Sequence, residues 1–480
     1  MIFKTSHINR LTKQFWLQGI LLLIIAAGCQ QKLTTHSVEG NNEVTAFFVP
    51  ALVPDSFSDE LYQNLRHGKA LFAFYDNRNF KPLWLENNKP TEKAKSMLDV
   101  INSARRYGLL PQDYHARELM QNVDLGDVKS MLRMELLLTD AFLSMAKDLK
   151  NGRLTRQPDF APDSLKVTNL SDSIAILSVK EVVEAHEPAT IGYRNLKLAL
   201  NNILDTAAAH DQSLLLSGIT HDSNEVHRKV RTIEVNLERW RTESASIEGT
   251  FAWVNIPAYM FYVVEDDNVV LESRVIVGKR SNETPRFSSN IECFTVFPYR
   301  YVPRKISVQE YLPALKRDTT FLTRNNFDVL DRNGKVQDPS TIDWKKLTAK
   351  NFPYTLRQRE GKENSLGVLK FVFDNPYAVF VHDTNAKRLF NNKMRALSHG
   401  CIRLEKAYEF AHYLIDGRSK ITKEMLDKYL KTEKKATINL TPSVPIHIRY
   451  YTCEVKDGKL LVYDDVYKLD RELIAKLYAD

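Results

Sequence analysis

The stretch from Tyr377 to Ile415 constrains this 480-residue chain more than any other part of its sequence. It opens with alternating apolar residues that run up to His382, which predicts a β-strand ending at that imidazole. A polar loop follows, and after it comes the tetrapeptide Ser398-His399-Gly400-Cys401. Apolar residues then recur at roughly helical spacing from Ile402 onward, so we expect Cys401 at or just before the start of a helix.

A cysteine in that position has the properties of a nucleophile. Unpaired N–H groups at a helix start stabilise a thiolate, and only the thiolate reacts well. Gly400 allows the backbone to approach a substrate closely, and the N–H groups around Gly400 and Cys401 predict an oxyanion hole. His382 is the expected base, because a strand end across the loop can face the thiol directly. His399 is the second candidate, although it lies only two residues from Cys401 on a tight turn.

Other interpretations of these residues stay open at this point. A cysteine before a helix is often a small buried hydrophobe, and a single histidine is usually structural. His382, His399 and Cys401 together are also a possible set of zinc ligands. Their combination in a glycine-containing turn favours a cysteine nucleophile over each of these alternatives.

His382-Asp383-Thr384, followed by Ser398-His399-Gly400-Cys401-Ile402-Arg403-Leu404, resembles the signature of the L,D-transpeptidases. These YkuD-type enzymes cross-link peptidoglycan. The resemblance implies that Cys401 is the nucleophile and His382 the general acid/base. It further implies that the site is lined by Ser398, His399, Gly400 and Arg403, and that no metal or cofactor is needed.

The same resemblance implies a two-step acyl transfer between peptidoglycan stem peptides, a donor tetrapeptide and an acceptor amine, which gives a 3–3 cross-link. An L,D-carboxypeptidase that trims stem tetrapeptides with the same site is the alternative, because water and amine compete for one acyl-enzyme. Papain-like and NlpC-like peptidases place the cysteine before the histidine, the reverse of the order here. An inert wall-binding scaffold is disfavoured by the intact His–Cys pair.

The first residues predict export and lipidation. Basic residues precede a thirteen-residue apolar run, Phe15 to Ala27, which is shorter than the roughly 20 residues that a membrane-spanning helix needs. Ala26-Ala27-Gly28-Cys29 resembles a lipobox, so residues 1–29 are interpreted as a lipoprotein signal with Cys29 acylated. Simple cleavage and an uncleaved anchor are the alternatives. We expect a periplasmic protein of a Gram-negative bacterium, lipid-anchored with the outer membrane favoured.

Charge and cysteine content agree with that location. The formal net charge is +8, but no basic run is dense enough for nucleic acid, and export removes that partner. An exported basic protein suits an anionic substrate such as peptidoglycan. Besides Cys29 the chain has Cys293, Cys401 and Cys453, and this odd number predicts a free thiol at Cys401. Cys293 and Cys453 form either a disulfide or two free thiols.

The rest of the chain predicts an α+β multidomain protein. After a tether (30–55) we expect a mainly helical scaffold domain (56–231), which includes an amphipathic helix from Met131 to Leu149. LFAFYDNRNFKPLW and ARRYGLLPQDY resemble the scaffold of the YcbB-like branch of the family, and the aromatic residues of these segments are expected in the core. The peptidoglycan-binding module of many YcbB-like enzymes has no counterpart between Gly192 and Arg231.

A β-rich YkuD-like catalytic domain is expected at 234–416, with strands at Phe251–Val264 and Val269–Val277. A charged, more helical insertion at 304–353 resembles the lid of YcbB-like enzymes, and a plain surface excursion is the alternative. Arg357 and Gln358 are predicted substrate contacts. Residues 417–480 are expected to pack back onto the catalytic domain, with two strands around Asp457-Gly458.

Overall fold

The computed structural model describes residues 65–121, 127–154, 167–208, 225–243 and 249–479. The predicted signal, Cys29 and the tether lie outside these residues. Within the described ranges, no helix combines the length and the apolar character needed to cross a bilayer.

The N-terminal part is helical, as predicted. Its helices are α1 (Gly68–Asp76), α2 (Glu92–Asn102), α3 (Ala116–Met120), α4 (Val128–Asn151), α5 (Val167–Ile176), α6 (Val179–Glu184) and α7 (Ile191–Ala208), with a small hairpin of β1 (Leu85–Glu86) and β2 (Lys89–Pro90). Helix α4 contains the amphipathic stretch predicted from the sequence. It begins where the Asp127 carboxylate accepts the Ser130 N–H, and it ends at Gly152, whose φ of +82° the helix cannot continue.

The aromatic anchors of the scaffold lie in its core, as the sequence predicts. Phe74, Tyr75 and Trp84 are fully buried, and the Phe74 and Trp84 rings pack edge-on against Phe142 of α4. The Glu135 carboxylate, also in α4, accepts the Trp84 N–H at 3.0 Å and the Tyr75 hydroxyl at 3.0 Å. The long helix therefore fixes the loop before β1 by both packing and hydrogen bonds.

Helix α8 (Glu225–Glu243) joins the two halves of the molecule. Glu234 pairs with Arg105 of the scaffold at 2.8 Å, and both side chains are almost wholly buried. Two residues further on, Asn236 bonds Thr452 of the C-terminal part through its side chain at 2.8 Å. The predicted domain boundary between 231 and 234 falls inside this helix, which packs against both halves at once.

The strands of the C-terminal half begin with β3 (Phe251–Asn255), β4 (Met260–Glu265), β5 (Asn268–Gly278), β6 (Phe287–Val296), β7 (Arg300–Tyr301), β8 (Phe327–Leu330), β9 (Val336–Gln337) and β10 (Thr355–Gln358). They continue with β11 (Leu369–Phe373), β12 (Val381–His382), β13 (Ala396–Ser398), β14 (Ile402–Leu404), β15 (Ala436–Arg449), β16 (Cys453–Lys456) and β17 (Lys459–Val462). The sequence predicted one strand over Phe251–Val264, but a tight turn divides that run into β3 and β4.

Nine of these strands form one sheet, in the order β13-β5-β14-β12-β11-β6-β15-β3-β4. An additional pairing of β4 with β5 closes the sheet, so that all of its strands except β13 form a barrel. The interior holds apolar residues from alternate positions, including the fully buried Phe371, Val381 and Ile402. Their neighbours Lys370, His382 and Arg403 therefore point to the other face of the sheet.

The insertion is a small unit with its own sheet and core. It contains α9 (Arg304–Ile306), a π-helical turn (Ser307–Tyr311), α10 (Leu312–Leu315) and α11 (Thr320–Arg324). Its four-stranded sheet has the order β7-β10-β8-β9. The sheet starts before the predicted start at 304 and ends after the predicted end at 353, because β7 and β10 pair at its base.

The C-terminal part packs onto the barrel, as predicted, and supplies one of its strands. Helices α12 (Ala407–Ile415) and α13 (Lys423–Lys431) lie between β14 and β15. β15 fits between β6 and β3, and it pairs antiparallel with β6 and parallel with β3. The predicted hairpin around Asp457-Gly458 is β16–β17, and α14 (Leu469–Leu477) follows it.

Candidate active site

Cys401 precedes a strand and not a helix. Ile402 and Leu404 are buried while Arg403 between them is partly exposed, which is the period of two typical of a strand. Pairing with β12 selects this conformation, since the Ile402 N–H donates to the Phe380 carbonyl at 2.9 Å. The predicted helix begins only at Ala407, so a helix N-terminus does not activate the thiol.

The segment before His382 forms a turn around the thiol. The strand predicted from Tyr377 is reduced to Val381–His382, because the Asn375 carboxamide bonds the backbone of Val379 through both its oxygen and its nitrogen. Ala378 has a φ of +53°, and its carbonyl accepts the Cys401 thiol at 3.9 Å from Sγ. A rare backbone conformation therefore places an acceptor beside the thiol.

The thiol of Cys401 is held in its protonated form. Burial raises its pKa above the ordinary value, although a backbone hydrogen bond from Phe380 opposes this shift. The positive charges of Lys370, Arg300 and Arg403 also act to lower the pKa. Since the net direction is upward, the resting thiol needs a base to become a nucleophile at neutral pH.

His382, the predicted base, lies on the strand next to β14. It pairs in register with Arg403, on the strand that Cys401 leads into. Its Nδ1 bonds the Asp383 carbonyl at 2.5 Å, which leaves the lone pair of Nε2 free to accept a proton. Burial lowers the pKa of His382 to about 3, and the charges of Arg403 and Arg300 add to the shift. The imidazole is consequently neutral throughout the physiological range.

Asp383 anchors the loop. One of its carboxylate oxygens accepts the Val368 N–H at 3.0 Å, and the other pairs with Lys387 at 2.5 Å. Gly367 leaves room for it, because a Cβ at that glycine would lie 2.2 Å from an Asp383 oxygen. The imidazole is thus oriented by a backbone carbonyl and not by this acid.

The turn carrying Cys401 is fixed by hydroxyl groups. The Ser398 hydroxyl donates to the Cys401 carbonyl at 2.5 Å and accepts the Gly400 N–H at 3.1 Å. Gly400 has a φ of +112°, which a residue with a Cβ rarely adopts. Of the two N–H groups predicted to form an oxyanion hole, the Gly400 N–H is already bonded within the turn. The Cys401 N–H is the remaining candidate donor.

Thr284 and Tyr467 connect this turn to the rest of the domain. The Thr284 hydroxyl donates to the Gly400 carbonyl at 2.8 Å and accepts the Gly278 N–H at 2.8 Å. Tyr467 donates to the Gly278 carbonyl at 2.7 Å and accepts the Thr284 N–H at 3.1 Å. Neither residue was identified from the sequence, since each lies far from the motif along the chain.

The His399 side chain contacts the insertion. Its Nε2 lies 2.6 Å from a carboxylate oxygen of Glu310, in the π-helical turn. The insertion therefore contacts the turn that carries Cys401 directly, and the His399 side chain is engaged by this contact.

The charges of three cations, Lys370, Arg300 and Arg403, act on the thiol, and the sequence singled out only Arg403. Lys370 on β11 lies opposite His382 in the sheet register, and its ammonium sits 3.6 Å from the centre of the Phe380 ring. Arg300, at the base of the insertion, donates to the Tyr311 hydroxyl at 3.1 Å. The only sequence signal for Lys370 was a charged residue at the outward position of an apolar strand.

The two predicted substrate contacts serve the insertion. Arg357 donates to the Asp328 carboxylate at 2.7 Å and stacks over Tyr299. Gln358 is only 4% exposed, and its carboxamide bonds the backbone of Asn325 and Ser365. In this structure both side chains hold strand β10 to its neighbours.

Cys293, Cys401 and Cys453 are all free thiols in the described structure. Cys453 is buried and donates weakly to the Thr232 carbonyl, which makes it a small core residue. Within the described ranges, no group of three or more His, Cys, Asp or Glu side chains is arranged to hold a metal ion. The zinc interpretation of His382, His399 and Cys401 is therefore unsupported.

Comparison with known proteins agrees with this arrangement. A family model described as the L,D-transpeptidase catalytic domain (YkuD) matches residues 249–422, and a model described as a scaffold domain matches residues 69–200. The barrel and its histidine–cysteine motif are thus a YkuD-type catalytic domain behind a helical scaffold. A curated Haemophilus influenzae protein, whose name gives L,D-transpeptidase as a provisional assignment, is 34% identical over 415 residues, 85% of this chain and 80% of its own. The chain belongs to the L,D-transpeptidase family.

Solved structures give a more distant likeness. An L,D-transpeptidase from Mycobacterium smegmatis is 14% identical, with a TM-score of 0.20, over 42% of this chain and 58% of its own. L,D-transpeptidase 1 of Mycobacterium tuberculosis is 13% identical, with a TM-score of 0.16, over 42% of this chain and 61% of its own. This chain therefore spans less than two thirds of either, and the family assignment does not depend on them.

Proposed function

We propose that this protein is a peptidoglycan L,D-transpeptidase that forms 3–3 cross-links through an acyl-enzyme on Cys401. The observation that carries the proposal is a neutral, backbone-oriented His382 on the strand next to the one that Cys401 leads into. Membership of the L,D-transpeptidase family supports the choice of stem peptides as substrates.

In the first step, Cys401 Sγ attacks the carbonyl carbon of the L–D bond between residues three and four of a donor stem. His382 Nε2 takes the thiol proton and passes it to the departing amine, so that the terminal D-residue leaves as a neutral amine. The Cys401 N–H stabilises the negative charge that develops on the attacked carbonyl oxygen. The product of this step is a thioester between the stem and the enzyme.

In the second step, the side-chain amine of a diamino acid in a neighbouring stem attacks the thioester. His382 removes the proton that this amine loses, and the Cys401 thiol is regenerated with that proton. Water in place of the amine would give the L,D-carboxypeptidase reaction, so the accepting nucleophile alone distinguishes the two functions. We infer that the insertion, which contacts the turn carrying Cys401 through Glu310, limits the access of water to the thioester and so favours the amine.

The test is incubation of the purified full-length protein with disaccharide-tetrapeptides and separation of the products by chromatography with mass spectrometry. We expect 3–3 dimers with release of one D-amino acid for each cross-link. If tripeptide monomers are the sole product, the protein is an L,D-carboxypeptidase and the proposed transpeptidase function is wrong. Recovery of unchanged tetrapeptide from a folded protein would contradict both functions.

We further propose that the protein is held at a periplasmic membrane through an acylated Cys29. The proposal rests on the short apolar run and the lipobox-like sequence, which precede the described residues. We expect mass spectrometry of the mature protein to find an N-terminal Cys29 carrying fatty acyl groups, and Cys29→Ser to release the protein from membranes. An N-terminus at Met1, or a cleaved N-terminus without lipid, would contradict this prediction.

A further inference from the structure

The cations whose charges act on Cys401 take no part in the proposed proton transfer between Cys401 and His382. Lys370, His382 and Arg403 occupy one row across three adjacent strands, since His382 lies opposite Lys370 on one side and Arg403 on the other. The charge of Arg300 from the insertion acts on both Cys401 and Arg403. We call Lys370, Arg300 and Arg403 the cation cluster.

Within the described residues, no carboxylate neutralises the cation cluster. Lys370 contacts the Phe380 ring, Arg300 bonds the neutral Tyr311 hydroxyl, and the Arg403 guanidinium makes no hydrogen bond there. The nearby acids have other partners, because Asp383 pairs with Lys387 and Glu310 with His399.

Leaving three cations together at a partly buried site is unfavourable. Burial lowers the pKa values of Lys370 and Arg403, and the charge of Arg300 lowers that of Arg403 further. Residues in a strand could be apolar at little cost to the fold, as Val372 on the same strand illustrates. An anionic ligand would relieve this repulsion and gain charge-assisted hydrogen bonds.

We propose that the cation cluster is a carboxylate-binding subsite. Lys370, Arg300 and Arg403 bind the terminal carboxylate of the donor, and they thereby select donors that end one residue beyond the attacked carbonyl. This inference rests on the proposed function. In such a donor, three bonds separate the attacked carbon from the terminal carboxylate carbon, a distance of at most about 4 Å. A carboxylate at that distance lies beside the thiol, where the cation cluster is. A donor with one residue more would carry its carboxylate too far away.

A diamino acid at position three of the donor can carry a second carboxylate on its side chain. The cation cluster would bind that carboxylate by the same charge-assisted hydrogen bonds as the terminal one. Two synthetic donors separate these sources. One has its C-terminal carboxylate converted to the amide, and the other has the side-chain carboxylate converted. We expect the C-terminal amide to lose most of its kcat/KM, and the side-chain amide to retain it. The reverse result would overturn the selection of donor length stated above.

The decisive experiment measures alkylation of Cys401 by iodoacetate and by iodoacetamide. Both reagents react with the same thiolate and differ mainly in their charge, so the ratio of their rates does not depend on the pKa of the thiol. We expect this ratio to be higher for the full-length protein than for an unstructured cysteine peptide, and to fall toward the peptide value as salt is added.

Variants locate the effect in the cation cluster. We expect Lys370→Met and Arg300→Met each to lower the iodoacetate-to-iodoacetamide ratio by about three- to tenfold, because each removes one nearby charge. Lys370→Arg keeps the charge and should keep the ratio. Lys420→Met removes the same charge at an exposed position outside the cluster and should leave the ratio unchanged. A ratio equal to that of the peptide, or unaffected by both methionine variants, would overturn the proposal.

The two proposals fail in different ways. If the alkylation ratio behaves as expected but no cross-link or tripeptide forms, the carboxylate subsite stands and the assignment as a transpeptidase fails. If cross-links form but Lys370→Met changes neither the ratio nor KM for the donor, the transpeptidase stands and the carboxylate subsite fails. Circular dichroism and thermal unfolding show whether each variant is folded.

Discussion

Replacement of Cys401 by alanine lowers the rate of 3–3 cross-link formation by about four orders of magnitude or more, because it removes the atom that carries the acyl group. The fold should persist, since Cys401 is partly exposed and its thiol donates only a weak hydrogen bond, to the Ala378 carbonyl. The measurement is dimer formation from disaccharide-tetrapeptides, with thermal unfolding recorded in parallel.

Cys293→Ala is the matched control. This substitution also removes a thiol, but from a partly exposed position on β6. Strands β11 and β12 separate that position from Cys401 in the sheet. We expect this variant to keep nearly the activity of the unaltered protein. If a folded Cys401→Ala protein still forms a substantial share of the dimers, or if Cys293→Ala is the inactive one, the nucleophile is wrongly assigned.

The second large effect is a difference in pH dependence between two histidine variants. Burial lowers the pKa of His382 to about 3 and raises that of Cys401 above its ordinary value. At neutral pH the unaltered site therefore holds a neutral imidazole beside a protonated thiol, and the imidazole must take the proton before attack. Without His382, reaction has to wait until hydroxide ionises the thiol, so the rate rises with pH through the raised thiol pKa.

His382→Ala should accordingly lose about 10²–10⁴-fold in acylation rate at pH 7, the range typical of general base catalysis, and recover much of it at alkaline pH. His399→Ala should lose less and show little alkaline recovery, because the His399 side chain bonds Glu310 of the insertion. Acylation of Cys401 by a carbapenem, measured by intact mass across pH, compares the two variants. Alkaline rescue of His399→Ala alone would reverse the two roles.

The sequence predicted the chemistry of the site better than its conformation. His382 and Cys401 were identifiable because they stand in a long, specific motif. The predicted helix at Ile402 was wrong because its apolar positions, Leu404 and Tyr408 among them, span the end of a strand and the start of a helix. Tertiary pairing with β12 decided the local structure, and a spacing pattern in one segment does not contain that information.

Contacts with residues from distant parts of the chain could not be predicted from the sequence, for the same reason. Lys370 becomes a neighbour of His382 through antiparallel register, and Glu310 meets His399 through the placement of a separate unit. Thr284 and Tyr467 join the catalytic turn only after the barrel has closed. The large features were predictable, namely a helical scaffold, a β-rich catalytic domain and an insertion, because each has its own periodicity and turns.

The position of β15 has a consequence for the order in which this protein is made and folded. The family model for the catalytic domain ends at residue 422, yet β15 (Ala436–Arg449) lies between β6 and β3 in the closed sheet. A chain synthesised only to the end of that match leaves the other seven of the eight barrel strands as an open sheet, with unpaired edges at β6 and β3. Contacts of such long sequence separation form slowly. The barrel can therefore close only after β15 has been synthesised. The turn that carries Cys401 is expected to reach its final conformation only then.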